Sequence, residues 1–261
     1  MAILERHVTG AVVRLHMNAP ARLNALSDEM IAALQDSFDN IAADKSVRVV
    51  VISASGTAFC AGHDLKEMTA ARQAEDGGKD AFKDLFDRCA TMMQTIQRMP
   101  QPVIAQVHGL ATAAGCQLVA SCDMAIAAEG VKFGVNGVNI GLFCSTPMVA
   151  LTRNINRKHA FEMLTTGEFI SAARAEQLGL INRVVPVETL QDDTLEMAQK
   201  IAAKLGAAVK IGKQAFYQQI MMPLDQAYAY TGNVMVENML YRDTEEGIAA
   251  FLEKRNPDWD Q

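Results

Sequence analysis

The residues best placed to do chemistry lie in a stretch that offers backbone groups rather than charged side chains. Residues 105–123 are typical of an apolar strand, a break at Gly109 and a helix of small residues around 113–120. Small residues at such a bend let a ligand approach the backbone, and the first turn of a helix presents N–H groups with no partner inside the helix. Between His108 and Asp123 no side chain carries a charge. The stretch therefore predicts a backbone site for an oxyanion.

A second loop of the same kind follows the preceding predicted strand. Residues 47–53 (VRVVVIS) are typical of a strand buried on both faces, and residues 58–64 form a compact loop that contains Gly62 and His63. Ligands of parallel sheets bind where strands end and helices begin, so each loop can donate one N–H to the same oxygen. Two donors stabilise an enolate or a tetrahedral intermediate by about 3–4 kcal/mol each. Glycine-rich turns are also common without any site, so a purely structural bend is the alternative.

The composition argues against several classes of function. The 261 residues are 50% hydrophobic and 6% aromatic, with a formal net charge of −6. No block of Lys and Arg is present, so nucleic acid and anionic membrane surfaces are not expected partners. Five cysteines without C-x-x-C or paired histidine spacing predict neither a disulfide framework nor a metal site. No transmembrane run or leader is evident, and we expect a cytoplasmic protein with reduced thiols.

Periodicity and capping residues divide the chain into two regions. Residues 3–17 predict a hairpin, and Ser27 is the predicted N-cap of a helix over 28–43. Buried strands at 47–53, 102–107 and 124–128 alternate with helices, which predicts a parallel sheet with right-handed crossovers. Beyond Pro147 the chain is mostly helical, and its composition shifts near residue 187. We therefore expect an α/β core over residues 1–186 and a C-terminal helical region over 187–261.

Eight motifs are spread in order across nearly the whole chain: residues 24–26 (NAL), 61–68 (AGHDLKEM), 102–109 (PVIAQVHG), 115–118 (GCQL), 133–134 (FG), 141–142 (GL), 172–185 and 246–255. This series resembles the crotonase superfamily, the enoyl-CoA hydratase/isomerase family, and in particular its enoyl-CoA hydratase domain-containing members, in which the motifs have the same order. None is specific alone, whereas together they are highly specific for the fold. The resemblance implies an α/β fold with a ββα spiral core and a C-terminal helical trimerisation region.

The same resemblance implies a homotrimer or a dimer of trimers that binds an acyl-CoA thioester. No separate cofactor is expected, because CoA is part of the substrate. In this family the oxyanion hole is formed by two backbone N–H groups, which correspond here to His63 and Ala114. The family usually has glycine at position 114, so an alanine fits there if its φ is negative. The residues that correspond to CoA contacts are Arg22, Ala25, Ala61, Asp64 and Leu65, together with Phe251 and Lys254 from a neighbouring subunit.

The chain departs from the family where hydratases carry their two catalytic glutamates. Those positions hold Gln117 and Gly137, and neither residue can exchange a proton at neutral pH. Losing one positioned acid or base costs about 10²–10⁴-fold in rate, so ordinary hydration is expected to be crippled. Ser145 lies in a loop where relatives place nucleophiles or acids. The His63 imidazole has a suitable pKa, but we expect it to serve the structure or CoA rather than catalysis.

Three functions remain open at this point. The first is a crotonase-type lyase or isomerase that stabilises a thioester enolate and uses an atypical acid or base. The second is an acyl-CoA thioesterase, which needs the oxyanion hole and an activated water. The third is an acyl-CoA binding protein without turnover. Two minor expectations accompany them: Asp123 caps a helix end, and Thr146 is the N-cap of a helix that begins at Pro147.

Overall fold

A six-stranded sheet forms the centre of the computed structural model, which describes residues 2–260. Its strand order is β1-β2-β3-β5-β7-β10, with β1 and β2 antiparallel and every later neighbour parallel. The strands are β1 (Leu4–Thr9), β2 (Val12–Met17), β3 (Val49–Ala54), β5 (Val103–Val107), β7 (Met124–Ala128) and β10 (Arg183–Val185). Because β3, β5 and β7 run parallel, their carboxyl ends lie at one edge of the sheet.

A smaller sheet continues from that edge. Its order is β4-β6-β8-β9, and the register pairs Ala58 with Leu110, Ala111 with Phe133, and Lys132 with Ser171. Its strands are β4 (Ala58–Cys60), β6 (Leu110–Thr112), β8 (Lys132–Gly134) and β9 (Ile170–Ser171). Each turn of the chain thus supplies one strand to each sheet before its helix, as the ββα spiral requires.

Eleven α-helices cover the sheets within residues 2–260. They are α1 (Asp28–Ala43), α2 (Leu65–Ala71), α3 (Lys79–Arg98), α4 (Ala114–Ser121), α5 (Pro147–Asn154), α6 (Arg157–Thr166), α7 (Ala172–Leu178), α8 (Leu190–Ala202), α9 (Gly206–Gln219), α10 (Leu224–Met239) and α11 (Arg242–Glu253). Short 3-10 helices span Pro20–Arg22 and Asn136–Ile140. No helix in the described part of the chain is long and apolar enough to cross a membrane.

The core follows the predicted apolar pattern. The Ser27 hydroxyl accepts a hydrogen bond from the Met30 N–H at 3.2 Å, which confirms the predicted N-cap of α1. All six residues of β3 are buried, as expected for a strand covered on both faces. On one face, Val49 and Ile104 pack with Ala198 of α8. All five cysteines are buried and free, as predicted.

Several local predictions need correction. The segments that become β4 and β6 were expected to be a loop and a bend, and β9 forms within a region that was expected to be mostly helical. Thr146 precedes α5 as predicted, but its side chain makes no capping hydrogen bond. Asp123 does not cap a helix; its carboxylate accepts hydrogen bonds from the Val103 N–H at 2.6 Å and the Lys213 ammonium at 2.7 Å.

The C-terminal helices are attached to the core through a buried ion pair and expose an apolar surface elsewhere. Lys213 of α9 is 8% exposed and also donates to two backbone carbonyls, so the charge that packs against Asp123 is fully hydrogen-bonded. Large apolar side chains of α9 to α11 remain exposed: Phe216, Ile220, Met221, Leu224, Tyr228, Met235, Val236, Met239, Leu240, Ile248, Phe251 and Leu252. The division of the chain at residue 187 remains a prediction.

Candidate active site

The loops at the carboxyl ends of β4 and β6 enclose an apolar cavity of about 450 Å³. The loop after β4 contributes Ala61 and His63, and the bend between β6 and α4 contributes residues 112–114. The opposite wall consists of residues 136–147, and Phe86 of α3 closes one side. A cavity of this size, with a few polar groups in an apolar wall, is typical of a small-molecule site.

His63 and Ala114, which come from neighbouring loops, both line this cavity. Neither of their backbone N–H groups has an acceptor among residues 2–260. The two loops pack backbone to backbone: a Cβ on Gly62 would lie 3.4 Å from the Ala114 nitrogen, and a Cβ on Gly115 would lie 2.1 Å from the Cys60 carbonyl oxygen. Glycine at both positions is therefore what allows the two loops to approach each other.

The conformational strain of this bend lies at Ala113 rather than at Ala114. Ala114 has no positive φ, so the condition set by the sequence for alanine at this position is met. Ala113 instead has φ +50° and ψ −119°, a conformation that side-chain-bearing residues rarely adopt. The Ala113 N–H donates to the Gly134 carbonyl at 2.9 Å, and its carbonyl accepts from the Gln117 N–H at 3.0 Å. These two bonds hold the strained residue in place.

His63 is among the residues that line the cavity, but both of its ring nitrogens are buried. Neither nitrogen makes a well-aligned hydrogen bond among residues 2–260, although the Leu26 carbonyl lies close enough to act on the ring. The ring packs edge-on against Phe86, with 5.5 Å between ring centroids. Burial lowers the pKa of His63 below its ordinary value of 6.5, since the charged form loses its hydration. The ring is therefore neutral near pH 7. The expectation that His63 serves the structure or CoA rather than catalysis remains a prediction.

The position of the second family glutamate is filled by other groups. The Gly137 N–H donates to the Cys144 sulfur at 3.3 Å. A Cβ on Gly137 would lie 2.5 Å from the Leu142 carbonyl oxygen and 2.9 Å from that sulfur. Burial raises the pKa of the Cys144 thiol, so this sulfur is protonated at neutral pH. The wall thus offers no carboxylate here and leaves no space for a larger residue.

Gln117 lies in a different cavity from His63 and Ala114. Its side chain is 5% exposed and lines a neighbouring cavity of about 310 Å³ between α3, α4 and α5. Its Oε1 atom has no hydrogen-bond partner within residues 2–260. Thr146 lines both cavities. Gln117 is therefore not among the residues that line the main cavity with His63 and Ala114, although it follows Ala114 by three residues on α4.

The remaining polar groups of the main cavity are hydroxyl and amide groups. Ser145 is exposed there, and its Oγ lies 3.4 Å from the Phe143 carbonyl oxygen, with no acid or base bonded to it in the part of the chain described. The Thr112 hydroxyl donates to the Asn136 side-chain oxygen at 2.5 Å. Since the partner lies 24 residues away, no local pattern could have revealed this pair.

The predicted CoA contacts fall into three groups. Ala61 and Leu65 line the cavity. Ala25 is buried and is not among the lining residues. Phe251 and Lys254, at the end of α11, also lie outside its lining, and Phe251 is 82% exposed.

Arg22 and Asp64, the last two predicted CoA contacts, bind each other. The Arg22 guanidinium donates to Asp64 at 2.7 Å and to Glu67 at 2.7 Å. Asp64 also caps α2 by accepting from the Lys66 N–H at 2.8 Å. Burial would raise the pKa of Asp64, but the bonds from Arg22 and two backbone N–H groups outweigh it, so this pKa is lowered. The cation of Arg22 is therefore paired with carboxylates.

Known proteins similar to this chain share its full length and fold. Enoyl-CoA hydratase domain-containing protein 3, mitochondrial, of Xenopus laevis is 49% identical over 246 residues, which cover 94% of this chain and 82% of that protein. The 2,3-dehydroadipyl-CoA hydratase of Escherichia coli is 33% identical and covers 95% of this chain and 94% of its own length. A crystal structure of enoyl-CoA hydratase from Mycobacterium smegmatis is 52% identical, with a TM-score of 0.95 over 99% of both chains.

These relatives contradict the expected cytoplasmic localisation. Five relatives that are 45–49% identical to this chain are named as mitochondrial proteins. The expectation rested on buried free cysteines and on the residues at the start of the sequence. Free thiols indicate that no disulfides form, and this alone does not identify a compartment. The cytoplasmic prediction is therefore wrong.

A family model supports the same grouping. The model for enoyl-CoA hydratase/isomerase matches residues 7–261 of this chain. Its extent agrees with the motifs that run in order from the first helix to the last, and with the two-sheet ββα architecture described above. The chain therefore belongs to the enoyl-CoA hydratase/isomerase family and has the crotonase fold.

Proposed function

We propose that this protein is an enzyme that binds acyl-CoA thioesters and stabilises a thioester enolate through the N–H groups of His63 and Ala114. One observation carries the proposal: His63 and Ala114 line the same apolar cavity, and neither of their backbone N–H groups has an acceptor among residues 2–260. The thioester oxygen would accept both hydrogen bonds, and the acyl carbons would occupy the apolar space. Each well-placed donor contributes about 3–4 kcal/mol to an oxyanion as charge develops on it.

Ordinary hydration of a double bond is not the reaction that this cavity favours. Hydration needs a group that activates water and a group that delivers a proton, and hydratases use carboxylates for both. Here Gln117 faces the neighbouring cavity, and the surroundings of Gly137 are filled by Cys144 and the Leu142 carbonyl. We expect a hydration rate at least about 10²-fold below that of an enzyme with both carboxylates.

The CoA moiety would lie along the loop before α2. Ala61 and Leu65 would line the pantetheine path where they border the cavity, and Ala25 lies in the adjacent loop. For Arg22 to bind a CoA phosphate, the phosphate would have to replace Asp64 or Glu67 as its partner. Phe251 and Lys254 would complete the CoA site of a neighbouring subunit rather than their own.

We propose a homo-oligomer, a trimer or a dimer of trimers, assembled through α9 to α11. The support is the run of exposed apolar side chains on these helices, among them Leu240 at 81% exposed and Phe251 at 82%. Contiguous exposed apolar surfaces are typical of interfaces. Light scattering after size exclusion should give a mass of three or six chains. A monomer at micromolar concentration would contradict the assembly.

The thioester site can be tested by removing one donor without changing a side chain's chemistry. Ala114 is the first residue of α4, where proline is tolerated and lacks only the N–H. Because Ala113 precedes it in a strained conformation, the matched control is Ala113→Gly, and the test variant is Ala113→Gly with Ala114→Pro. Calorimetry should compare butyryl-CoA with S-butyl-CoA, a thioether that lacks the carbonyl oxygen.

The expected outcomes separate the three possible functions. The control should bind butyryl-CoA more tightly than S-butyl-CoA, and the proline variant should lose that preference. Crotonyl-CoA hydration, followed by loss of enoyl absorbance, should be slow, whereas hydration at ordinary enzyme rates would contradict this account. Release of free thiol from acyl-CoA would favour a thioesterase. Absence of binding to any acyl-CoA would remove the proposal altogether.

A further inference from the structure

We propose that the cavity between α3, α4 and α5 receives the far end of the acyl group and that this end carries a carboxylate. The inference rests on the proposed function and names its class of substrate, a thioester of CoA with a dicarboxylic acid. The cavity has a volume of about 310 Å³ and is adjacent to the main one, because Thr146 lines both. An acyl chain whose thioester lies beside Ala114 would extend past Thr146 into this second cavity.

The lining of the second cavity is rich in hydrogen-bond donors and lacks carboxylates. Among the described residues, six of the eleven that line it are polar: Gln94, Gln97, Gln117, Ser121, Thr146 and Arg153. None of the described lining residues is Asp or Glu, and only Arg153 carries a charge. A cavity with a cation and no anion in its wall favours a negatively charged ligand.

Two buried residues place unpaired donors on the floor of this cavity. Gln117 and Ser121 are 5% and 2% exposed, and neither side chain has a hydrogen-bond partner within residues 2–260. The sealed atoms without a partner in that range include the Gln117 Oε1 atom, but neither its Nε2 atom nor the Ser121 hydroxyl oxygen. These two groups therefore keep some accessible surface, and both can donate a hydrogen bond.

Unpaired polar groups in so buried a position are costly unless a ligand or a water molecule pairs with them. A carboxylate is the ligand group that suits this floor best, because its two oxygens only accept hydrogen bonds. The hydrogen bonds from the Gln117 amide and the Ser121 hydroxyl would then be charge-assisted. An apolar chain end would leave both donors unpaired.

The spacing of residues on α4 relates this floor to the proposed thioester site. Ala114, Gln117 and Ser121 are three and four residues apart, so they lie along one face of the helix. At a rise of 1.5 Å per residue, Ser121 lies about 10 Å along the helix axis from Ala114. An extended adipoyl group together with its hydrogen bonds has a comparable length, so one ligand would reach both ends of this face.

The open side of the cavity supplies positive charge. Arg153 is exposed, and its guanidinium donates to the Val149 carbonyl at 2.8 Å, one turn earlier on α5. It forms no ion pair with a carboxylate in the described part of the chain. A second cation lies beside this side, since Arg98 donates to the Gln94 Oε1 atom at 2.7 Å. Both charges would attract the carboxylate to the cavity.

Calorimetry with two CoA thioesters of equal chain length tests the inference. Adipoyl-CoA carries the terminal carboxylate, and hexanoyl-CoA lacks it. The variants are Gln117→Leu, Ser121→Ala and Arg153→Gln. The matched control is Arg157→Gln, which changes an exposed arginine of α6 that lines neither cavity. In every variant the affinity for hexanoyl-CoA reports whether the fold and the thioester site are intact.

The inference predicts that the parent binds adipoyl-CoA at least about tenfold more tightly than hexanoyl-CoA, because charge-assisted hydrogen bonds are gained. Gln117→Leu and Ser121→Ala should each lower the affinity for adipoyl-CoA by at least about fivefold and leave that for hexanoyl-CoA unchanged. Arg153→Gln should weaken the binding of adipoyl-CoA and reduce its salt dependence, since exposed charges are screened by salt. Arg157→Gln should change neither affinity.

Equal or tighter binding of hexanoyl-CoA by the parent would overturn the inference and leave the thioester site standing. A preference for adipoyl-CoA that survives both Gln117→Leu and Ser121→Ala would also overturn it, because the carboxylate would then lie elsewhere. Free adipate that binds as tightly as adipoyl-CoA would show that the carboxylate is not recognised as part of the acyl group. Absence of binding to both thioesters would overturn the proposed function as well.

Discussion

Replacing Ala113 by glycine should stabilise the fold and weaken the site. Ala113 has φ +50° and ψ −119°, and a side-chain-bearing residue in a sparsely populated conformation stores about 1–3 kcal/mol. Glycine removes that strain but costs about 0.4–1 kcal/mol through the added entropy of the unfolded chain. The difference is a net stabilisation of about 1 kcal/mol. For a chain of this length it corresponds to roughly 2–4 °C in Tm.

The same substitution should loosen the bend that orients the Ala114 N–H. The methyl group of Ala113 lies against Gly62, where a Cβ would be only 3.0 Å away, and so helps hold the two loops in register. If the looser bend costs about 1 kcal/mol of binding free energy, affinity for butyryl-CoA should fall roughly fivefold. Removal of this one methyl group should therefore raise the stability of the protein and lower its affinity for butyryl-CoA.

Urea unfolding and calorimetry measure the two changes on the same preparation. Unfolding should be followed at fixed pH and protein concentration, because any oligomer makes the apparent stability concentration-dependent. A loss of stability above about 1 kcal/mol would refute the strain argument, since glycine would then be releasing no strain. Higher stability with unchanged affinity would support the strain argument but would refute the role of the Ala113 methyl group in orienting the Ala114 N–H.

Three further predictions concern the cavity walls and the buried histidine. Gly137→Ala should destabilise the protein by about 1–3 kcal/mol, because its methyl group would meet the Leu142 carbonyl. The matched control is Gly212→Ala in α9, where an added Cβ would have no atom within 4 Å, and it should stabilise the protein by up to about 1 kcal/mol. Urea unfolding measures both changes. Gln117→Glu buries a carboxylate without a buried cation to pair with it, so it should lower the free energy of unfolding by about 1–3 kcal/mol. That loss of stability should grow between pH 5 and pH 8, because the carboxylate becomes charged as the pH rises. The rate of crotonyl-CoA hydration should not rise. Because folding lowers the pKa of His63, the unfolded chain binds more protons than the folded chain as the pH drops below 6.5. The free energy of unfolding should therefore fall over that range. His63→Gln should lack this part of the pH dependence when unfolding is measured at several pH values.

Local signals in the sequence predicted much of the framework correctly. The helix over 28–43 has a serine cap, acidic residues in its first turn and a regular apolar stripe, and the structure has the same bounds. The strand Met124–Ala128 also matches, since it is delimited by polar and glycine residues. Strands of two or three residues, such as Ile170–Ser171, carry too few positions to show alternation, and pairing across the chain creates them.

The sequence predicted part of the cavity lining and missed the contacts that distant segments make. His63 and Ala114 both line the cavity, and strand ends followed by small residues indicated them in the sequence, whereas their role as oxyanion donors remains a proposal. Ser145 lines the same cavity, but the sequence could not indicate that no base among residues 2–260 bonds it. Gln117 follows Ala114 by less than one turn, yet it lines a neighbouring cavity that has Thr146 in common with the main one. The pairing of Arg22 with two carboxylates likewise depends on residues more than forty positions away.

The central claim is that two backbone N–H groups polarise a thioester carbonyl in this cavity, and infrared spectroscopy of the bound ligand tests it most directly. Butyryl-CoA labelled with ¹³C at the carbonyl gives an isotope-edited C=O stretch in the complex and in water. Stronger hydrogen bonds to the oxygen lower that frequency, so we predict a frequency in the complex below that in water. The variant with Ala113→Gly and Ala114→Pro should move back toward the water value. A frequency in the complex at or above that in water would contradict the claim.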